Sequence, residues 1–228
     1  MHYLFDVDGT LTPLGGILDR DFNRWFYNWC DNRSVFLVSG SDNNKTRYQL
    51  GTDVCERVSG VYNCSGNAYY TKGLLQSSKE FELNPEQKAY IQSLLDASKY
   101  SNKVGTHFET RLGTVRFSVV GLAANNEQRK DYVLWDSRCQ ERSDMAQQIT
   151  TRFPELVAEK SGTTGIDLYP VGSDRSQVAD LLDGTFVFFT DQGHQGGTDH
   201  ALAQRAQTVH HVSGWRETWE LLKTQYAD

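Results

Sequence analysis

The sequence predicts an α/β fold interrupted by an α+β insertion, and three observations carry that reading. Short apolar runs, each followed at once by small and polar residues, recur as FDVDGT, LVSGSD and FFTDQG. A helical pattern separates the first two runs, which is the strand–helix–strand signature of an α/β unit. Before the third run comes a stretch of helices beside hairpins, roughly Phe81 to Gly172, with no clean strand–helix alternation. Residues 1–80 and 173–228 are therefore expected to form the core, and residues 81–172 the inserted domain.

The elements follow in order. HYLF reads as a short strand broken by Gly9. From Asp19, the apolar positions Phe22, Trp25, Phe26 and Trp29 recur at spacings of three and four, one face of a helix. Val35–Val38 is a buried strand running into Gly40, NKTRYQLG a short helix, and GVYNCSGNAYY a strand with a tight turn at Gly66-Asn67. KGLLQSSKEFEL is strand or hairpin material, and NPEQKAYIQSLLDAS a helix opened by Asn84-Pro85. Within the insertion, THFETRLGTVRFSVVGL gives two strands around Leu112-Gly113. NNEQRKDYVLWD and RSDMAQQITTRFPEL are helical, and GIDLYPVG is a strand. The chain then returns to the core: helical DRSQVADLL, an apolar strand TFVFFTD ending at Asp191, helical GTDHALAQRA, a strand VHHVS and a closing helix GWRETWELLKTQ.

Composition narrows the function. The chain of 228 residues is 38% hydrophobic, enough for a packed core, and carries a formal charge of −6 with no basic block. A nucleic-acid partner is not expected. There is no apolar run of membrane-spanning length and no signal-like opening, so a cytoplasmic protein without a membrane partner is expected. The four cysteines match no zinc or redox spacing, which predicts reduced thiols. Nor does any cysteine open a Cys-X5-Arg phosphate cradle, so a cysteine-based phosphatase is not expected.

In an open parallel sheet the loops at the carboxyl ends of the strands converge on one crevice. That topology brings Asp6, Asp8, Ser39 and Asp191 together. A lone Asp-X-Asp is usually a solvated turn or a helix cap; an ordered set of such loops points to chemistry. Asp6 and Asp191, with Asp8, are candidate ligands for Mg²⁺ through hard carboxylate oxygens. Asp6 then faces the substrate as nucleophile and forms an aspartyl-phosphate. Asp8 is the candidate acid/base. Thr10, Ser39 and Gly40 are candidates to hold the phosphoryl oxygens. Asp42 either caps the helix beginning at Asn43 or touches ligand.

FDVDGTLT resembles the first motif of the haloacid dehalogenase superfamily, and the likeness narrows to eukaryotic-type phosphomannomutases. It is carried by VSGSDNNKTRYQLG, CSGNAYY, GTHFETRLGTVRFSVVG, NNEQRKDYVLWD, GIDLYPVGSDRS and FFTDQGHQGGTDHAL, in order along nearly the whole chain. The resemblance implies a Rossmann-like core with an α+β cap of type IIB inserted after the third core strand. It also implies reversible cap closure over a phosphorylated sugar and a possible homodimer through the cap, for which HFETRLGTVRF could offer a strand edge, though such an edge could equally be covered within the monomer. By position, Asp6 matches the nucleophile, Asp8 the acid/base and Asp191 a metal ligand, with Asp199 in or beside the metal region. In the cap, Arg111 and Arg129 match arginines that grip the distal phosphate, and Asp167 a residue that contacts sugar hydroxyls.

Five positions depart from that pattern. Leu122 stands where the family has a phosphate-clamping arginine, and Gly165 where it has a serine. Arg175 replaces the core lysine that bridges nucleophile and phosphate, keeping the charge but changing reach. Thr190 and Gln192 replace the glycine and lysine that flank Asp191. A lost clamp lowers the cost of becoming a hydrolase, because a mutase must hold a bisphosphate in two orientations in a dry site. The sequence alone therefore points to a Mg²⁺-dependent sugar-phosphate phosphatase on this scaffold. The alternatives are a phosphomannomutase interconverting mannose 1- and 6-phosphate, a nucleotide phosphatase, and a catalytically weak phosphosugar-binding protein.

Overall fold

The computed structural model describes residues 1–227. The chain divides into two compact units, Met1–Ser78 with the segment from Gly172 on, and Lys79–Val171.

The first unit is built on a seven-stranded sheet. Its elements begin with β1 (His2–Asp6), α1 (Arg20–Trp29), β2 (Val35–Val38), α2 (Asn43–Leu50), α3 (Thr52–Arg57), β3 (Gly60–Asn63), β4 (Ala68–Thr71) and β5 (Leu74–Ser78). The second unit holds α4 (Pro85–Ala97), β6 (Phe108–Arg111), β7 (Thr114–Phe117), α5 (Asn126–Cys139), α6 (Glu141–Arg152), β8 (Leu156–Ser161) and β9 (Gly165–Pro170). The first unit resumes with α7 (Gln177–Leu181), β10 (Phe186–Thr190), α8 (His200–Ala203), β11 (Thr208–His211) and α9 (Trp215–Gln225).

The large sheet runs β11-β10-β1-β2-β3-β4-β5. Its first five strands are parallel, and β4 and β5 complete an antiparallel meander at one edge. The α/β class and the Rossmann-like core are thus borne out. The insertion does not follow the third core strand directly: the chain first makes β4 and β5, because Gly66 and the turn at Lys72-Gly73 fold it back twice on itself.

Aromatic packing fixes the core. The apolar stripe of α1 buries Phe22, Phe26 and Trp29 against β1 and β10, where Phe5 stacks on Phe189 at 4.6 Å between centroids. Each such side chain contributes about 1.5–3 kcal/mol relative to exposure. Helix starts match their sequence signals: Asp19 caps α1, and Asp42 caps α2 through the Lys45 N–H. Capping boxes open α4 (Asn84/Gln87) and α5 (Asn125/Gln128).

In the second unit all pairings are antiparallel, in the order β6-β7-β9-β8, so β6 and β8 are the edges. Alternation splits this sheet. Val115, Phe117, Ile166, Leu168 and Leu156 point into an apolar core with Ile91, Tyr132 and Ile149 of α4, α5 and α6. The other face carries the row Glu109–Arg116–Asp167–Glu159. The four cysteines are free. No helix among the described residues is long and apolar enough to cross a membrane.

Candidate active site

The site in the first unit forms where β1, β2, β3 and β10 end. Asp6 is the last residue of β1 and is 2% exposed. Its Oδ2 accepts from the Thr10 hydroxyl at 3.1 Å, and its Oδ1 accepts from Arg175 Nη1 at 2.9 Å. The same Nη1 donates to Asp199 Oδ1, so one guanidinium nitrogen ties two buried carboxylates. Asp199 Oδ2 accepts from the Thr190 hydroxyl at 2.6 Å. Asp191 lies beside them: its N–H donates to Thr10 Oγ1 at 3.1 Å, and a methyl group at Gly9 would collide with its carboxylate. Gly9, with φ +87°, is thus required by both the turn and the close approach.

The electrostatics follow from this packing. Burial pushes the Asp6 carboxyl well above the usual carboxylate range. Asp199 adds to the shift, Arg175 opposes it, and Asp191 raises it again. Burial works against the Arg175 charge, yet Asp199 and Asp6 more than offset it and raise its pKa. Three carboxyl groups meet a single guanidinium here. Asp191 Oδ1 is buried with no hydrogen-bond partner. An orphaned hard oxygen beside two further carboxyl groups suits a divalent cation, so Asp6 and Asp191 fit Mg²⁺.

The Asp8 side chain, expected beside Asp6 and Asp191, is held by partners of its own. Its carboxylate accepts from Gln49 Nε2 at 2.8 Å, the Gly15 N–H at 2.9 Å and Lys45 Nζ at 3.2 Å. Among the described residues no three acidic, histidine or cysteine side chains form a metal-holding group. Burial raises the Asp8 pKa, but these three donors outweigh it and hold the group ionised below its usual range.

The remaining candidates take definite places. Thr10 spends its hydroxyl on Asp6 and the Asp191 N–H. Ser39 is buried, and its hydroxyl accepts from the Ser41 N–H. Gly40 borders Arg175, whose Nη2 would sit 3.0 Å from a methyl group there. Three departures meet in one network: Arg175 bonds Asp6 and Asp199, Thr190 bonds Asp199, and Gln192 Nε2 donates to Asp191 Oδ2 at 2.9 Å. Thr190 and Gln192 carry no motif of their own, so the sequence marks them as departures without assigning them a task.

In the second unit, Arg129 bonds the carbonyls of Ala124 and Leu122 and the Thr164 hydroxyl, and Arg111 pairs with Glu109. Asp167 Oδ1 is buried without a partner. Arg116, not singled out by the sequence, stands directly opposite Asp167 on the adjacent strand. Within an alternating strand it reads as one more solvated charge, and only the register reveals its neighbours.

Comparison with known proteins decides the family. The model of the eukaryotic phosphomannomutase family matches residues 23–227. The chain belongs to that family. The resemblance carried by its motifs is therefore borne out, and the protein is a phosphoryl-transfer enzyme. The chain is 29% identical to the phosphomannomutase of Glycine max over 219 residues, covering 92% of this chain and 89% of that one. It is 28% identical to phosphomannomutase 1 of Homo sapiens over 222 residues, covering 91% and 85%. In fold it resembles a haloacid dehalogenase-like hydrolase from Bacteroides thetaiotaomicron, with TM-score 0.61, 10% identity and coverage of 97% and 98%. It also resembles a trehalose-6-phosphate phosphatase related protein, with TM-score 0.57, 14% identity and coverage of 98% and 96%.

Proposed function

We propose that this family member is a Mg²⁺-dependent phosphohexose mutase, interconverting mannose 1-phosphate and mannose 6-phosphate, with Asp6 as the residue that carries the phosphoryl group. The relatives' names favour isomerisation over hydrolysis, reversing the order in which the sequence alone ranks them. One observation carries the reading: a buried carboxylate at the end of β1, oriented by Thr10 and Arg175, beside a second carboxylate held in its ionised form.

A mutase begins its cycle with Asp6 phosphorylated. A sugar hydroxyl attacks the phosphorus, the Asp6–phosphorus bond breaks, and the hydroxyl proton goes to Asp8. Asp8 must then start as carboxylate, the form that Gln49, Gly15 and Lys45 stabilise. The resulting bisphosphate returns its other phosphoryl group to Asp6, and Asp8 gives the proton back to the departing sugar oxygen. Arg175 offsets charge on Asp6 and holds Asp199 in place. Asp6 and Asp191 would hold Mg²⁺, which when bound would help to neutralise the approaching anions. The cap's arginines and Asp167 recognise the rest of the sugar phosphate.

Hydrolysis is the second reading, and Leu122 favours it, since an apolar side chain occupies a position expected to clamp phosphate. A coupled assay with mannose 1-phosphate, Mg²⁺ and a hexose bisphosphate activator separates them. Mannose 6-phosphate without stoichiometric inorganic phosphate supports the mutase; stoichiometric inorganic phosphate alone overturns it.

A further inference from the structure

Leu122 leaves the cap one guanidinium short of the expected set, and the structure shows a different one in reserve. Arg116 lies mid-strand on β7, flanked by Glu109 of β6 and Asp167 of β9. It is half-buried, forms no ion pair among the described residues and makes a single hydrogen bond, a long one of 3.3 Å to the Ser161 carbonyl. A guanidinium has five N–H donors, so most of its capacity is unspent. The Asp167 oxygen Oδ1 is likewise buried and unspent. A half-buried cation with unspent donors and an orphaned acceptor on neighbouring strands are two unmet polar demands at one place, and such pairs ask for a ligand.

Gly165 explains how Arg116 reaches this position. Gly165 does not lie in the left-handed region, so its backbone does not demand glycine. A methyl group there would instead come within 2.7 Å of Arg116 Nε and Nη2, and one at Gly162 within 3.2 Å of Nη2. The absent side chain at 165 is therefore the seat of the guanidinium. The bare glycine at 165 and the placement of Arg116 are thus linked across two strands. Burial lowers the Arg116 pKa, Asp167 raises it, and the Arg111 and Arg129 guanidiniums are near enough to lower it. Arg129 makes three hydrogen bonds and Arg111 is paired with Glu109, which leaves Arg116, with one bond, the least spent of the three.

We infer that Arg116, seated over Gly165, is the cap's principal ligand for a tetrahedral oxyanion, a phosphate monoester on a sugar whose hydroxyl reaches Asp167. This rests on the phosphohexose reading above and names the residue that does the gripping. Its fork geometry suits two phosphoryl oxygens at once. The inference also makes Gly165 a specificity-determining position, because any side chain there displaces the fork.

Arg116→Ala, Gly165→Ser and the double variant test this, with the exposed Arg152→Ala as control. For mannose 1-phosphate, Arg116→Ala is expected to raise both KM and the calorimetric Kd about ten- to hundredfold. Arg116→Lys recovers only part of this, since an ammonium lacks the fork. Gly165→Ser weakens binding in the same sense but adds nothing to Arg116→Ala, because the group it displaces is already gone. Unchanged Kd in a folded Arg116→Ala variant, or full additivity of the pair, overturns the inference. If Arg116→Ala does not fold, Gly165→Ser carries the test alone, and unchanged Kd in that variant overturns it. If the wild type binds mannose 1-phosphate but neither isomerises nor hydrolyses it, the reading above fails while the Kd comparison still decides the clamp. Absence of wild-type binding overturns the clamp as well.

Discussion

The two sheets of this protein place chemistry in different ways. In the parallel sheet the reactive groups stand at or just past the strand ends: Asp6 as the last residue of β1, Ser39 after β2 and Asp191 after β10. The central strands β10, β1, β2 and β3 have no exposed residue. In the antiparallel sheet the polar groups stand mid-strand, because alternation gives one face to the apolar core and the other to Glu109, Arg116, Asp167 and Glu159. The first design concentrates charge in a buried knot where a single guanidinium nitrogen bonds two carboxylates. The second leaves the Arg116 guanidinium with donors to spare. A buried, saturated knot suits bond making; an under-satisfied face suits recognition.

Substitutions can break or sharpen that contrast. The largest effect belongs to Asp6→Asn, expected to lower kcat on mannose 1-phosphate by about 10⁴-fold or more, as removal of a nucleophile does. Retention of more than a tenth of wild-type kcat would remove Asp6 from the chemistry. Next comes Arg175→Met, which leaves Asp6 and Asp199 facing each other without their shared cation. A loss on the order of 10²–10³ in kcat is expected, with Arg175→Lys intermediate. Equal activity of the Met and Lys variants would show that the bridging charge is idle.

Metal linkage comes third. Mg²⁺ at about a hundred times its Kd stabilises the fold by about 2.7 kcal/mol. For a chain of this size that raises Tm by roughly 5–10 °C. Asp191→Asn should abolish the shift, because it removes the negative charge from the group whose Oδ1 has no partner. A full Mg²⁺-dependent rise in that variant would place the ion elsewhere.

The smallest effect is a pH slope in the metal-free protein. The folded-state pKa of Asp6 lies above its unfolded value, so the folded state binds more protons there. Stability therefore falls as pH rises from the ordinary carboxylate range, about pH 4, through the raised value. Asp8 acts in the opposite sense: its contribution is present above the ordinary range and lost as pH falls below it. A Tm series in chelator should decline above about pH 4 in wild type and flatten in Asp6→Asn. A wild-type Tm that climbs over the same window would mean that Asp6 is not strained by its neighbours.

The same contrast explains what the sequence made legible. Loop chemistry at strand ends announces itself, since an apolar run that stops at an acid is visible by inspection; Asp6 and Asp191 are readable for that reason. β8 escapes notice because it is a sheet edge with only Leu156 buried, and no alternation marks VAEKS. The helix expected through GTDHALAQRA shrinks to the four residues of α8, since Asp199 gives its oxygens to Arg175 and Thr190 instead of capping. Asp8 matches a familiar motif position, but its partners Gln49 and Lys45 lie some forty residues away and cannot be foreseen from spacing. Arg116 is the plainest case: its meaning depends on Gly165, across a strand pairing that only the folded sheet reveals.

The central claim is that Asp6 becomes phosphorylated, and trapping that species tests it most directly. The protein is mixed with a hexose bisphosphate labelled in its phosphoryl groups and Mg²⁺, quenched in acid within the turnover time, and mapped by peptide mass spectrometry. Hydroxylamine-labile label on the peptide carrying Asp6, absent from Asp6→Asn, is the expected result. Turnover with no label on that peptide, or with label on any other residue, would contradict it.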